Sequence, residues 1–199
     1  MVDRWFLSDT HFGHANIIEY HNRPFSSPFE MDEYMIDTWN QTVKPEDHVS
    51  HLGDVTMSRG GKVQQDTFIR MIKRLNGHKR LYLGNHDHFP VETYLRAGFE
   101  KIYATWRDEG GILFSHIPVH PSAIGSARAN VHGHIHSNKS PDPTVFTDKD
   151  GKVWIKPYIN ISVEVIDYKP VHYDELVKMI EKAKKDYLSM HTTPKSGGL

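Results

Sequence analysis

Five short β-rich runs in this chain each end in a small polar cluster: LSDTH at 7–11, LGDVT at 52–56, LGNHD at 83–87, FSH at 114–116 and HGHIH at 132–136. Predicted strands cover 4–8, 48–53, 79–84, 100–105, 111–116, 129–133 and 157–165. They alternate with amphipathic stretches at 30–43, 62–75, 90–97 and 173–188. In the first of these, Met31, Tyr34, Met35, Thr38 and Trp39 recur at three- and four-residue steps, which gives a helix one apolar face. Strands that alternate with helices imply an α/β layered fold. In such folds, sites assemble beyond the carboxyl ends of the strands, so five scattered clusters can meet at one rim.

The clusters carry mixed nitrogen and oxygen donors. Asp9 and Asp54 offer carboxylates and Asn85 an amide oxygen, while His11, His116, His134 and His136 offer imidazole. Such a set suits Mn, Fe, Co, Ni or Zn, and is too rich in nitrogen for a dedicated calcium or magnesium cage. Seven donors exceed what one ion takes but suit two ions that share a carboxylate. Residues two apart on an extended chain lie on one side, about 6–7 Å between Cα atoms. Asp9 and His11 can therefore converge on one ion, and His134 and His136 can reach two adjacent ones. The competing reading of Asp9 and His11 is a strand end with a polar turn and a helix cap. Two divalent ions balanced by two carboxylates would leave a positive pocket for phosphate, and such a pair can support in-line attack by a bridging hydroxide. His86 is the candidate proton donor to the leaving group, with Asp87 expected to accept its other ring N–H.

The order D-x-H at Asp9–His11, G-D at Gly53–Asp54, G-N-H-D at Gly84–Asp87, a lone His116 and G-H-x-H at Gly133–His136 resembles the calcineurin-like metallophosphoesterase superfamily, in particular its small microbial and phage-type members. The resemblance spans roughly residues 5–137 and implies a four-layer αββα sandwich. It also implies that Asp9, His11 and His136 bind one metal, that Asn85, His116 and His134 bind a second, and that Asp54 bridges them. His86 would act as the acid or steady the transition state. Mn²⁺ is the expected activator, with Fe, Zn, Ni or Co as alternatives. The resemblance further places His14 and Arg23, the latter in NRPF, close to the pocket. A helix-start histidine in a polar turn is the competing reading of His14. Arg128 and Asn130 could contact phosphate from the loop HIPVHPSAIGSARAN, for which an ordinary surface loop is the alternative.

Bulk properties narrow the partners. The chain has 199 residues, a formal net charge of -1 and no cysteine, so disulfides and thiolate metal sites are excluded and long-range attraction to nucleic acid is not built in. The expectation is one domain over 1–190 with a disordered tail at 191–199, located in the cytoplasm and bound to no membrane. The expected substrate is a small phosphate ester, with phosphodiesters favoured and cyclic nucleotides (2',3'-cyclic ones included) among the candidates. Phosphomonoester hydrolysis is the enzymatic alternative. A nuclease, or an interaction scaffold without catalysis, completes the alternatives. The segment TVFTDKDGKVWIKP reads as a hairpin turning at Asp150-Gly151. Asn160 reads as a polar strand residue that steadies the site from behind.

Overall fold

The computed structural model describes residues 2–108 and 110–191. Among these residues the strands are β1 (Arg4–Leu7), β2 (His48–His51), β3 (His78–Tyr82), β4 (Phe99–Tyr103), β5 (Thr105–Arg107), β6 (Ile112–Ser115), β7 (Ala129–His132), β8 (Thr144–Thr147), β9 (Val153–Lys156), β10 (Tyr158–Asn160) and β11 (Val171–His172). Five α-helices are α1 (Asn16–Tyr20), α2 (Pro28–Thr42), α3 (Lys62–Ile72), α4 (Val91–Ala97) and α5 (Tyr173–His191). The mixed α/β class matches the sequence reading.

A five-stranded sheet runs β11-β1-β2-β3-β4, parallel except for β11. A four-stranded sheet runs β10-β7-β6-β5, parallel except for β5. The β8–β9 ribbon forms the expected hairpin, where the Asp148 carboxylate accepts the backbone N–H groups of Asp150 and Lys152. Strand alternation feeds two cores. Leu7 joins Val49 and Leu81 under Met35, Trp39 and Ile72 of the helices, while Phe6 turns to the opposite face. There Phe6 stacks on Phe114 of the second sheet, with centroids 4.9 Å apart, in a cluster that also takes Leu176 and Ile180 of α5.

Local signals set the helix ends. The Ser27 hydroxyl accepts the Glu30 N–H at 3.2 Å and Pro28 follows it, so α2 starts there. Gly98 ends α4 with a φ of 105°, a conformation that glycine adopts without a Cβ penalty. The run predicted as a strand over 157–165 ends at Asn160, where the chain crosses between the sheets. Ser8 N–H donates to Ile161 O, and Val163 N–H donates to Ser8 O, both at 3.0 Å. The expected tail is divided: His191 closes α5, and 192–199 lie outside the described residues. Among the described residues, no helix is long and apolar enough to cross a membrane.

Candidate metal centre

The turns after β1, β2 and β3 of one sheet meet the turns after β6 and β7 of the other. Backbone bonds lace them together. His11 N–H donates to Asp54 O at 3.0 Å, Phe12 N–H to Val55 O at 2.8 Å, and Gly133 N–H to His116 O at 2.9 Å. The carboxylates extend the lacing. His86 N–H donates to Asp54 Oδ1 at 2.8 Å, which draws the GNHD turn onto the GD turn.

The backbone here is unusual. Asp9, His11, Asp54, His134 and His136 all have positive φ, between 49° and 71°. Non-glycine residues adopt this region at a cost of about 1–2 kcal/mol each, and such outliers cluster at functional sites. Two glycines admit the carboxylates. A Cβ on Gly133 would stand 2.2 Å from Asp9 Oδ2, and one on Gly84 would stand 2.1 Å from Asp54 Oδ1.

Among the described residues, three side-chain groups each gather potential ligand atoms within 4.8 Å of one another: Asp9, His11 and His136; Asp54, His116 and His134; and His21, His136 and Glu164. Asp54 Oδ2 lies 3.3 Å from His116 Nε2 within its own group and 3.6 Å from His11 Nε2 of the first, so it faces both. Asn85 Oδ1 is 3.0 Å from His116 Nε2. The second ring nitrogen of His116 donates to Leu52 O at 2.8 Å, which leaves Nε2 for the centre.

The donor set fits a cation. Both ring nitrogens of His11 are buried and have no hydrogen-bond partner among the described residues. Burial holds the His11 pKa down to about 2, so the ring stays neutral and keeps a lone pair to donate. Burial also opposes charge on His116, but its bond to Asp54 and the field of Asp9 outweigh it and push the pKa up to about 9. A cation that binds there therefore displaces a proton. Burial acts against the Asp54 carboxylate too, yet the His116 bond and charge hold it well below the usual carboxylate range. The residues can hold metal ions.

His86 lies at the rim with its ring 5.5 Å from that of His11, and its Nδ1 is buried without a partner among the described residues. Asp87 does not take that proton as expected. Its carboxylate accepts three backbone N–H groups instead, from Gly84 at 2.8 Å, Asp54 at 2.9 Å and Val55 at 3.0 Å. It ties two turns together. His14 is placed beside the centre, 5.5 Å from His11 ring to ring.

Three expected substrate contacts are corrected. The Arg23 side chain is 0% exposed and spends its donors on Glu164, Asp9 O, Thr10 O and the Met31 sulfur. Arg128 precedes β7, at the strand end opposite the centre, and its guanidinium faces Glu181 at 3.9 Å. The Asn130 side chain is likewise withdrawn, because it is buried on Val119 N–H, Leu113 O and Ser115 Oγ. Asn160 lies behind the site, where its Nδ2 donates to His136 O. Glu164 and His21 were not read from the sequence. The signal for Glu164 was a lone carboxylate inside the apolar run ISVEVI.

Two cavities adjoin residues in or next to the ligand turns. One, of about 410 Å³, adjoins His14 and is lined by Phe12, Met57, Thr67, Phe68 and Met71. The other, of about 510 Å³, adjoins Asn85 and His116 and is walled by Thr105, Pro118 and His120.

No family model matches the chain. It is 36% identical over 180 residues to the uncharacterized protein MJ1445 of Methanocaldococcus jannaschii, covering 90% of this chain and 92% of that one. It is 30% identical over 167 residues to the gene 66 protein of Mycobacterium phage L5, covering 69% and 79% respectively. The crystal structure of AQ665, a protein of unknown function from Aquifex aeolicus, superimposes with a TM-score of 0.63 and 30% identity, over 90% of this chain and 100% of that one.

Proposed function

This chain belongs to one family with the MJ1445 protein and the phage L5 gene 66 protein, and from its site we propose that it is a dinuclear-metal-dependent phosphoesterase of the calcineurin-like superfamily, acting on phosphodiesters. The observation that carries the reading is the place of Asp54 Oδ2, which belongs to the group with His116 and His134 and also faces His11 of the other group. Asp9, His11 and His136 would hold one ion, and Asn85, His116 and His134 the other, with Asp54 shared. The five motifs meet at the rim where two facing sheets end, which supports the superfamily's four-layer αββα arrangement for this chain.

Two divalent ions, when bound, supply Lewis-acid charge that neutralises phosphoryl oxygens and activates water for in-line displacement. The chain's own residues do the rest. Asp9 and Asp54 set the charge of the centre, and their backbone bonds fix its shape before any substrate arrives. His86 buries Nδ1, so Nε2 is the ring atom assigned to deliver a proton to the departing alkoxide. Asp87 keeps the GNHD turn in register and so aims His86 without touching it.

The cavities favour diesters. A phosphodiester carries an organic group on each side of its phosphorus, and two cavities adjoin residues in or next to the ligand turns. His86 lies toward His11 and His14, so the leaving group is assigned to the cavity beside His14. Neither cavity exceeds the range usual for small-molecule sites, which suits compact diesters such as cyclic nucleotides.

The test is hydrolysis of bis-p-nitrophenyl phosphate beside p-nitrophenyl phosphate in Mn²⁺. Faster turnover of the diester is expected. Preference for the monoester would replace the diesterase reading with a phosphatase one. Turnover of neither substrate by protein carrying two ions would overturn the reading.

A further inference from the structure

Behind the candidate centre lies a buried ion pair that the reaction does not use directly. Glu164 Oε1 accepts Arg23 Nε–H at 2.8 Å and Nη2–H at 2.6 Å, and it stands 2.9 Å from His136 Nδ1. Arg23 continues forward. Its Nη2 donates to Asp9 O at 2.7 Å and its Nη1 to Thr10 O at 2.9 Å. The two side chains are 0% and 5% exposed. His21 covers His136 from outside, with ring centroids 3.7 Å apart.

A carboxylate can only accept, so His136 must carry its proton on Nδ1 to make this bond. Nε2 then keeps its lone pair and faces Asp9 Oδ1 at 4.0 Å. At the other end, Arg23 grips the carbonyls of Asp9 and Thr10, in a turn whose Asp9 φ is 60°. We propose that Arg23 and Glu164 are a positioning pair for the metal ligands: Glu164 selects the ligating tautomer of His136, and Arg23 both neutralises Glu164 and clamps the turn that presents Asp9. The pair rests on the metal-binding part of the function proposed above and not on the phosphodiester part.

A third ion among His21, His136 and Glu164 is the competing use of these groups. Arg23 argues against it, because a fixed cation already donates two bonds into Glu164 and would repel a second positive charge there.

The experiment titrates Mn²⁺ into wild-type, Glu164→Gln and Glu164→Ala protein by calorimetry, with ¹⁵N spectra of the His136 ring taken on the same proteins free of Mn²⁺. Outer-shell partners of ligating histidines are commonly worth about 10–100-fold in metal affinity. One of the two Mn²⁺ equivalents should weaken by about tenfold in the Gln variant and more in the Ala variant, while the other keeps its affinity. The His136 spectrum should shift away from the Nδ1–H tautomer. Glu164→Gln preserves shape, so it carries the test if Glu164→Ala fails to fold. Unchanged isotherms and an unchanged His136 spectrum would overturn the positioning pair while leaving the dinuclear reading intact. A third Mn²⁺ equivalent lost with Glu164 would also overturn it, in favour of the extra ion. Wild-type protein that binds no Mn²⁺ would remove both readings together.

Discussion

The backbone N–H of His134 bonds both carboxylate oxygens of Asp9, at 3.1 and 2.9 Å, across 125 residues of sequence. One carboxylate thereby fastens the turn after β7 to the turn after β1, and so one sheet to the other. Asp9 is both a ligand candidate and a structural tie. The same double duty recurs at Asp54.

Asp54→Ala should strip metal from both positions, because its Oδ2 faces both groups. Metal analysis of protein reconstituted with Mn²⁺ should fall from two equivalents to fewer than one. Activity should fall by more than the roughly 10–100-fold typical of an outer-shell partner. Two ions retained in this variant would remove Asp54 as the bridge.

His86→Ala should keep its metals and lower kcat by about 10²–10⁴, the usual range for loss of a general acid. The loss should be largest for alkyl leaving groups and smallest for p-nitrophenol, which departs without a proton. A loss that is equal across leaving groups would take His86 out of that role.

Gly133→Ala would force a methyl group against Ser8 Oγ at 2.0 Å and Asp9 Oδ2 at 2.2 Å. Overpacking of this kind costs on the order of 1–3 kcal/mol. A lowered melting temperature together with weaker metal binding is expected. Wild-type values of both would mean that the turn opens freely.

Stability should fall as the pH drops from 7 toward 5. Burial depresses the pKa of His51 to about 3 and that of His132 to about 4, against a model-peptide value of 6.5. The unfolded chain therefore binds more protons than the folded one between those values. Stability supplied by the neutral rings is present above pH 6.5 and is lost as the pH falls toward 4 and 3. Each ring contributes a slope of up to about 1.4 kcal/mol per pH unit. Urea melts of chelator-treated protein across this range would measure it, and a flat profile would mean that the rings charge without strain.

The reading from sequence succeeded where chemistry and pattern coincide. Each polar cluster follows an apolar run, and parallel pairing then carries the strand ends to one edge. It failed where a contact depends on distant partners. Asp87 follows His86 in sequence, which suggested a ring contact, but three backbone amides from two turns claim it first. Arg23 read as a substrate contact because its partner, Glu164, lies 141 residues away. β11 has two residues and β5 three, too short for any period to register. α1 has five residues, and Ile17 is its single buried member.

The left-handed turns set stability against function. Asp9, His11, Asp54, His134 and His136 lend their side chains to the centre and their backbones to chain reversals that glycine would make with less strain. A lineage released from the function proposed above would gain by drifting to glycine at His134, where the side chain is only half-buried. That change would relieve about 1–2 kcal/mol of backbone strain while deleting a candidate ligand. Selection for heat tolerance alone would thus erode this centre, and only selection on what it does can hold it in place.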